Sequence, residues 1–493
     1  MKAPITSTAS LSKARALMVV ALTVAAAAIA VLVPAAGTPA ADQARPNIVV
    51  IMTDDQTLES MRVMDNVRAR IGDKGATFTN SFVNYSLCCP SRATFLTGQY
   101  EHNHGVLGNL PPNGGFGRFQ ALHGDNNLAV WLRRAGYYTA MVGKYLNDYA
   151  NDPPVPRGWS EWYAAAPYDQ QVYNYRLNEN GTSVFFGHRP ADFKQDVLTR
   201  KAVGFVNRRA RLAQPFFLWV TYTAPHEGGW GGAPVSYCRE AAAKPAPRHA
   251  HAFDAEPLPK PPNFNEPDVS DKPAYIRNRS RFGPDSVADI QRRYRCQLGS
   301  LLSVDEGVDR IVDTLGASGE LANTLLIFTS DNGFLNGQHR IPPDKGHIYE
   351  ESVRVPLMMR GPAVPAGVEV GDLTINADLA PTIVDVANAT PGLTMDGRSL
   401  IPVARNPGIE QGRELLIESE RWYQQPSFNA IRTRRYIYAE YATGERELYD
   451  LQSDPFELYS RHNAPAYASI TSALASRLHQ LQSCAGSSCR THP

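Results

Sequence analysis

The chain carries almost no net charge: 49 Lys and Arg stand against 48 Asp and Glu, a formal +1 at pH 7. That balance gives no argument for a nucleic-acid partner or a charged membrane surface. Internal repeats are absent, and beyond the first 35 or so residues no stretch is long and apolar enough to span a bilayer. No cysteine stands immediately after that first apolar run, which argues against a lipoprotein anchor. Cysteine itself is scarce, with six in all. In an exported chain such cysteines pair, and Cys484 with Cys489, then Cys238 with Cys296, are the expected disulfides. Cys88 and Cys89 are left without partners.

The amino terminus has Lys2, Lys13 and Arg15, then an apolar run from Ala16 to about Ala35 and small residues up to Ala41. This reads as a secretory leader over residues 1–41 and predicts a secreted protein; an uncleaved anchor is the alternative. The remainder is too long for one ordinary domain and predicts a large domain with a smaller one.

Four apolar runs end in polar residues. Pro46-Asn-Ile-Val-Val-Ile-Met-Thr53 leads to Asp54-Asp55, and Leu325–Thr329 to Ser330-Asp331-Asn332-Gly333. Phe216–Tyr222 leads to Ala224-Pro225-His226, and Tyr138–Val142 to Gly143-Lys144. Unbroken apolar runs of this length predict buried parallel strands of an α/β fold, whose carboxyl ends are where such sheets bind ligands. Asp54, Asp55, Asp331 and Asn332 offer hard oxygens, which suit Ca²⁺ or Mg²⁺. Lys144, His226 and Lys345 are cations or donors for an anion.

Leu87-Cys88-Cys89-Pro90-Ser91-Arg92-Ala93-Thr94-Phe95-Leu96-Thr97-Gly98 reads as a short helix with Pro90 at its first position and Gly98 as its stop. Cys88 then lies just ahead of a helix N-terminus, where anions bind, and Arg92 adds a fork of donors for a tetrahedral oxyanion. A metal with cationic neighbours around such a terminus is a site for a sulfate or phosphate ester.

Cys88-x-Pro90-Ser91-Arg92 followed by Leu96-Thr97-Gly98 resembles the signature of the sulfatase family. The resemblance implies that Cys88 is oxidised to Cα-formylglycine by a formylglycine-generating enzyme, Cys89 being the variable residue. It implies Ca²⁺, with Mg²⁺ as the alternative, held by Asp54, Asp55, Asp331 and Asn332 together with residue 88. Arg92, Lys144, His226 and Lys345 would contact the aldehyde hydrate or the sulfate group. Leu146 departs from many arylsulfatases, which have histidine there. Cys88-Cys89-Pro-Ser-Arg92, Tyr100-x-His102-Asn103-His104, Gly143-Lys-Tyr-Leu-Asn147 and Leu302-Ser-Val-Asp305 are most similar to N-acetylglucosamine-6-sulfatases and heparan sulfate 6-O-endosulfatases. The implied substrate is a sulfated carbohydrate. The implied fold is an alkaline-phosphatase-like sandwich with a large mixed, mostly parallel sheet between helices, plus a smaller antiparallel sheet and helix at the carboxyl terminus. The corresponding limits are 45–375 and 376–493. Two rivals stand beside this reading: a phosphodiesterase or phosphonate monoester hydrolase of the same superfamily, and an inactive carbohydrate-binding relative.

Three further stretches complete the reading. Gly228–Pro284, rich in glycine and proline, is either a pocket wall or a surface insertion. Asp285–Leu315 has the apolar spacing of a long helix packed on the sheet. His102 and His104 are either rim residues or structural histidines.

Overall fold

The computed structural model describes residues 45–490 apart from 151–153, 166–170, 229–237, 239–241 and 410–411. The expected leader and the glycine cluster after His226 lie outside the described residues.

The four apolar runs are neighbouring strands. Thr324–Ser330, Asn47–Asp54, Phe216–Pro225 and Tyr138–Lys144 lie side by side and parallel, in that order, and Glu161–Ala165 continues the parallel set. Leu357–Arg360 adds antiparallel to Thr324–Ser330, and Ala76–Phe78 and Val368–Val370 follow it. Tyr175–Glu179 and Thr182–Phe186 close the other side, making a mixed sheet of ten strands. Every residue of Asn47–Asp54 is buried because helices cover both faces. Alternation sends Ile48, Val50 and Met52 to one face, with Phe95, Leu96, Trp131 and Ile383. It sends Val49 and Ile51 to the other, with Val197, Leu301, Val304 and Val308. The predicted long helix runs from Pro284 to Ala317 on that second face.

The expected small sheet is present. Leu415–Ser419, Phe428–Arg432, Tyr436–Tyr441 and Arg446–Asp450 form an antiparallel meander, covered by the helix Ala468–Leu481 through Leu474, Leu478 and Leu481. Both expected disulfides form. Cys238–Cys296 ties the glycine- and proline-rich excursion to the long helix, and Cys484–Cys489 closes the tail. Cys88 and Cys89 are free and buried.

Candidate active site

Register brings the strand ends level. Thr53 pairs with Ser330, Asp54 with Pro225, and Gly143 with Thr221, so the polar residues that follow these strands share one edge. At Gly143 (φ 117°) the strands approach so closely that a Cβ would sit 1.9 Å from the Thr221 carbonyl oxygen, and only glycine fits. Asp55 takes the left-handed conformation (φ 67°), uncommon for a residue with a side chain. Its amide donates to Asp331 Oδ1 at 3.2 Å and the next amide to Ser330 Oγ at 3.0 Å, which fixes the bend.

The Cys88 helix differs from expectation in one respect. It runs Cys88–Thr97, so Cys88 is its first residue and Pro90 its third. Amides of the first turn have no intrahelical acceptor, so proline is tolerated anywhere in it. Gly98 ends the helix at φ 70°, as expected.

Cys88 sits at the base of the edge, 1% exposed. Its Sγ is 2.8 Å from Lys345 Nζ and 3.5 Å from Asp54 Oδ1. Lys144 Nζ is 2.5 Å from Asp54 Oδ2, and Lys345 Nζ also pairs with Asp55 Oδ1. His226 Nε2 lies 3.6 Å from Asp55 Oδ2. Arg92, fully buried, donates from Nε to Asp331 Oδ2 at 2.9 Å and from Nη1 to the Lys144 carbonyl at 2.6 Å. Asn332 Nδ2 donates to Asp55 Oδ1 at 2.6 Å. Every residue named from the sequence for this chemistry is therefore brought together.

Three carboxylates (Asp54, Asp55, Asp331) thus face three fixed cations (Arg92, Lys144, Lys345). Burial would raise Asp54, but Lys144, His226, Arg92 and Lys345 outweigh it and hold the carboxyl below its ordinary range. Burial and the neighbouring Asp54 push Asp331 up instead. Burial works to lower Lys144 and Lys345, but Asp54 beside the first and Asp55 beside the second outweigh it and push both up, so both ammoniums stay charged. Burial pushes the Cys88 thiol up to about 12 against the opposing pull of both lysines. An unmodified Cys88 is therefore a neutral thiol, a poor nucleophile.

The oxygens here suit a hard dication: those of Asp54, Asp55 and Asn332, with residue 88 adding another once oxidised. Asp54, Asp55, Cys88 and His226 each offer one ligand atom, all within 4.8 Å of one another. Asn332 Oδ1 is buried beside them without a hydrogen-bond partner. His226 thus stands nearer the candidate metal ligands than its sequence reading, as an anion contact, implied.

The cleft above the edge has a volume of about 350 Å³. Asn147 lines it, as do Asn109, Arg293, Trp422 and Tyr423, which sequence reasoning missed. Trp422 comes from the loop between the first two strands of the small sheet; its Nε1 donates to Asp344 Oδ1 at 3.1 Å, and its ring packs on Gly346, next to Lys345. The only signal available was an aromatic pair in the polar stretch Glu420–Gln425. His102 and His104 are tied into structure instead. His102 bridges Glu418 Oε1 and the Cys484 carbonyl, both at 2.8 Å, and His104 Nε2 meets Thr94 Oγ1 at 3.1 Å in the core.

The family model described as Sulfatase matches residues 46–389, and one described as N-sulphoglucosamine sulphohydrolase, C-terminal, matches 337–484. Human N-acetylglucosamine-6-sulfatase is 32% identical, over 92% of this chain and 87% of its own. An arylsulfatase of Volvox carteri is 34% identical, over 93% and 78%. A solved structure in complex with its substrate, D-glucosamine-2-N,6-O-disulfate, superposes with a TM-score of 0.76 at 25% identity, over 89% of this chain and 97% of that one. Matched by that model across most of its length, with Cys88 of the signature among its acids and lysines, the chain belongs to the formylglycine-dependent sulfatase family.

Proposed function

We propose that this protein hydrolyses the sulfate ester of a sulfated sugar of the N-acetylglucosamine 6-sulfate kind, releasing inorganic sulfate. One observation carries the reading: residue 88 lies at the base of a polar cleft, in contact with Lys345 Nζ and Asp54 Oδ1. The relatives that act on glucosamine sulfates supply the substrate class.

Residue 88, once oxidised, supplies as its aldehyde hydrate the nucleophile for sulfur and a second hydroxyl that frees the sulfate. Asp54, Asp55, residue 88, Asp331 and Asn332 would hold Ca²⁺, with His226 at their margin; Ca²⁺ would acidify the hydrate and draw charge from the sulfate oxygens. With the protein's own charges balanced three against three, a dication leaves the site positive, which favours an anionic ester over a neutral one. Arg92 anchors Asp331 and the Lys144 carbonyl, and so holds the edge in shape. Lys144 orients Asp54. Lys345 and His226, which line the cleft, are placed to give a proton to the departing sugar oxygen. Trp422 and Tyr423 offer aromatic surface to the sugar ring.

Maturation has a physical condition. Cys88 is 1% exposed in the fold, so a converting enzyme must reach it before the chain closes. Secretion, implied by the leader, gives that enzyme its opportunity; among the described residues no helix is long and apolar enough to cross a membrane. The test is the mass of the peptide containing residue 88 from protein secreted by a converting host, with sulfate release measured on N-acetylglucosamine 6-sulfate and on the matched phosphate ester. An aldehyde with preferential sulfate release is expected. An unmodified thiol, or preference for the phosphate ester, overturns the reading.

A further inference from the structure

The loop that leaves the sheet at Asp331 and returns with Lys345 carries a second cluster at its far end, one the hydrolysis does not use. His339, Glu351 and Glu457 each offer a ligand atom, all within 4.8 Å of one another. They converge from three places: the loop itself, the short helix Glu350–Val353, and the turn that follows the last strand of the small sheet. His339 and Glu457 are buried and Glu351 is half-buried.

Internal hydrogen bonds satisfy this set only in part: Glu351 Oε1 accepts from Asn263 and Glu457 Oε2 from the Glu350 amide, leaving the second oxygen of each acid over. Glu457 Oε1, Glu351 Oε2 and Asn263 Oδ1 are buried oxygens without a hydrogen-bond partner, and leaving such atoms unpaired is unfavourable. Asn263 is an observation independent of the acids. It is wholly buried, and its amide nitrogen lies 3.2 Å from His339 Nε2 and 2.9 Å from Glu351 Oε1, so its amide head faces the set. An amide turned by 180° exchanges oxygen for nitrogen with little change in shape. Turned so, Oδ1 stands about 3 Å from His339 Nε2 and Glu351 Oε1, a spacing natural to ligands sharing an ion with bonds of about 2.0–2.1 Å.

His339 is prepared as a ligand. Its Nδ1 lies 2.7 Å from Glu266 Oε2, so Nδ1–H donates there and Nε2 keeps its lone pair, the arrangement behind most metal-bound histidines. Its ring stacks on Tyr349 at 3.9 Å between centroids, which fixes its orientation. Burial keeps it neutral, with a pKa of about 3. Cationic compensation is thin. Burial, Glu350 and Glu351 push Glu457 well above its ordinary range against the weaker pull of Arg432, and Arg432 itself bonds Glu350 at 2.8 Å. Lys272 Nζ turns to Glu266 (3.4 Å) and to the Leu458 carbonyl (2.9 Å).

We propose that His339, Glu351, Glu457 and the Asn263 carbonyl bind a first-row transition-metal dication, Zn²⁺ or Mn²⁺, which pins the loop bearing Lys345 to the carboxyl-terminal sheet. One imidazole with three oxygens suits these ions; Ca²⁺ prefers oxygen alone.

The experiment uses the full secreted chain with Ca²⁺ in excess throughout, to saturate the active site. Zn²⁺, and separately Mn²⁺, is added, free metal is dialysed away, and the retained metal is counted by mass spectrometry. One retained equivalent of either ion is expected, absent from His339→Gln and Glu457→Gln. Glu266→Gln, which replaces only the carboxylate behind His339, should weaken binding about 10–100-fold. If the ligand variants do not fold, metal-edge anomalous scattering from crystals of the unaltered protein should show a peak at His339 Nε2. No retained equivalent, an equivalent that survives all three substitutions, or a peak elsewhere overturns the proposal. Sulfate release is not part of this readout, so either reading can fail without the other.

Discussion

Two clusters of acids and histidine lie at opposite ends of one loop, and they manage buried charge differently. At the sheet edge, Asp54, Asp55 and Asp331 are matched by Arg92, Lys144 and Lys345, and Asp54 is held below its ordinary range. At the loop's far end, His339, Glu351 and Glu457 have little cationic help, and Glu457 is pushed up. The first cluster can persist without a metal, which leaves it open to substrate and ion exchange through the cleft above it. The second is closed, and is a place to fasten chain segments together. Unpaired buried charge is what separates a site that works by exchange from one that works by staying occupied.

Replacing residue 88 gives the largest effect and touches only the first cluster. Cys88→Ser should lower turnover on N-acetylglucosamine 6-sulfate by on the order of 10⁴-fold, because serine lacks the second hydroxyl needed to shed sulfate. Its melting temperature should match the parent, and intact-protein mass after substrate addition should show a sulfated enzyme. Full multiple turnover by this variant would rule the mechanism out.

Arg92→Met makes the first cluster resemble the second by removing its most buried cation. Asp331 then loses both guanidinium contacts, and urea unfolding should report a loss of about 3–5 kcal/mol. An unchanged midpoint would mean that the remaining lysines suffice.

His104 sharpens the comparison as a buried histidine with no acid beside it. Burial, then His123 and His102, hold its pKa at about 3, below the unfolded value of about 6.5. The unfolded chain therefore binds the extra proton between these values. The contribution is complete above about pH 6.5 and is lost as pH falls towards 3, by at most about 1.4 kcal/mol per pH unit. Urea unfolding at pH 6.5 and 5 should show this slope in the parent and a flatter one in His104→Asn; equal slopes would remove His104 from the account.

Trp422→Ala is the mildest test, on the wall where the small sheet meets the cleft. It should lower kcat/KM on the sugar ester on the order of tenfold, equivalent to about 1.4 kcal/mol, while sulfate release from a small aryl ester changes less. Equal losses on both substrates would assign Trp422 to holding Asp344 rather than to the sugar.

The strands were readable because each is a short, unbroken apolar run with its chemistry in the next one or two residues. Asp54 and Lys144 end their strands, and Asp55, Asp331-Asn332 and His226 follow theirs directly, so local pattern and function coincide. The Cys88 motif was readable for the same reason, although the helix begins two residues earlier than expected because proline suits any first-turn position. Both disulfides followed from cysteine number and position. Illegible were the features assembled from distant segments: Trp422 against Gly346, His102 between Glu418 and Cys484, and Asn263 against His339 and Glu351.

The sequence by itself determined the strands, the acids and cations at their ends, and the kinship carried by Cys88-x-Pro90-Ser91-Arg92, because hydrophobic period and covalent neighbourhood are local properties. Only the tertiary structure decided which charges are paired, which oxygens are orphaned, and which loop of the small sheet walls the cleft. Those depend on the register of parallel strands and on contacts across hundreds of residues, and burial sets their electrostatic weight once the chain has closed.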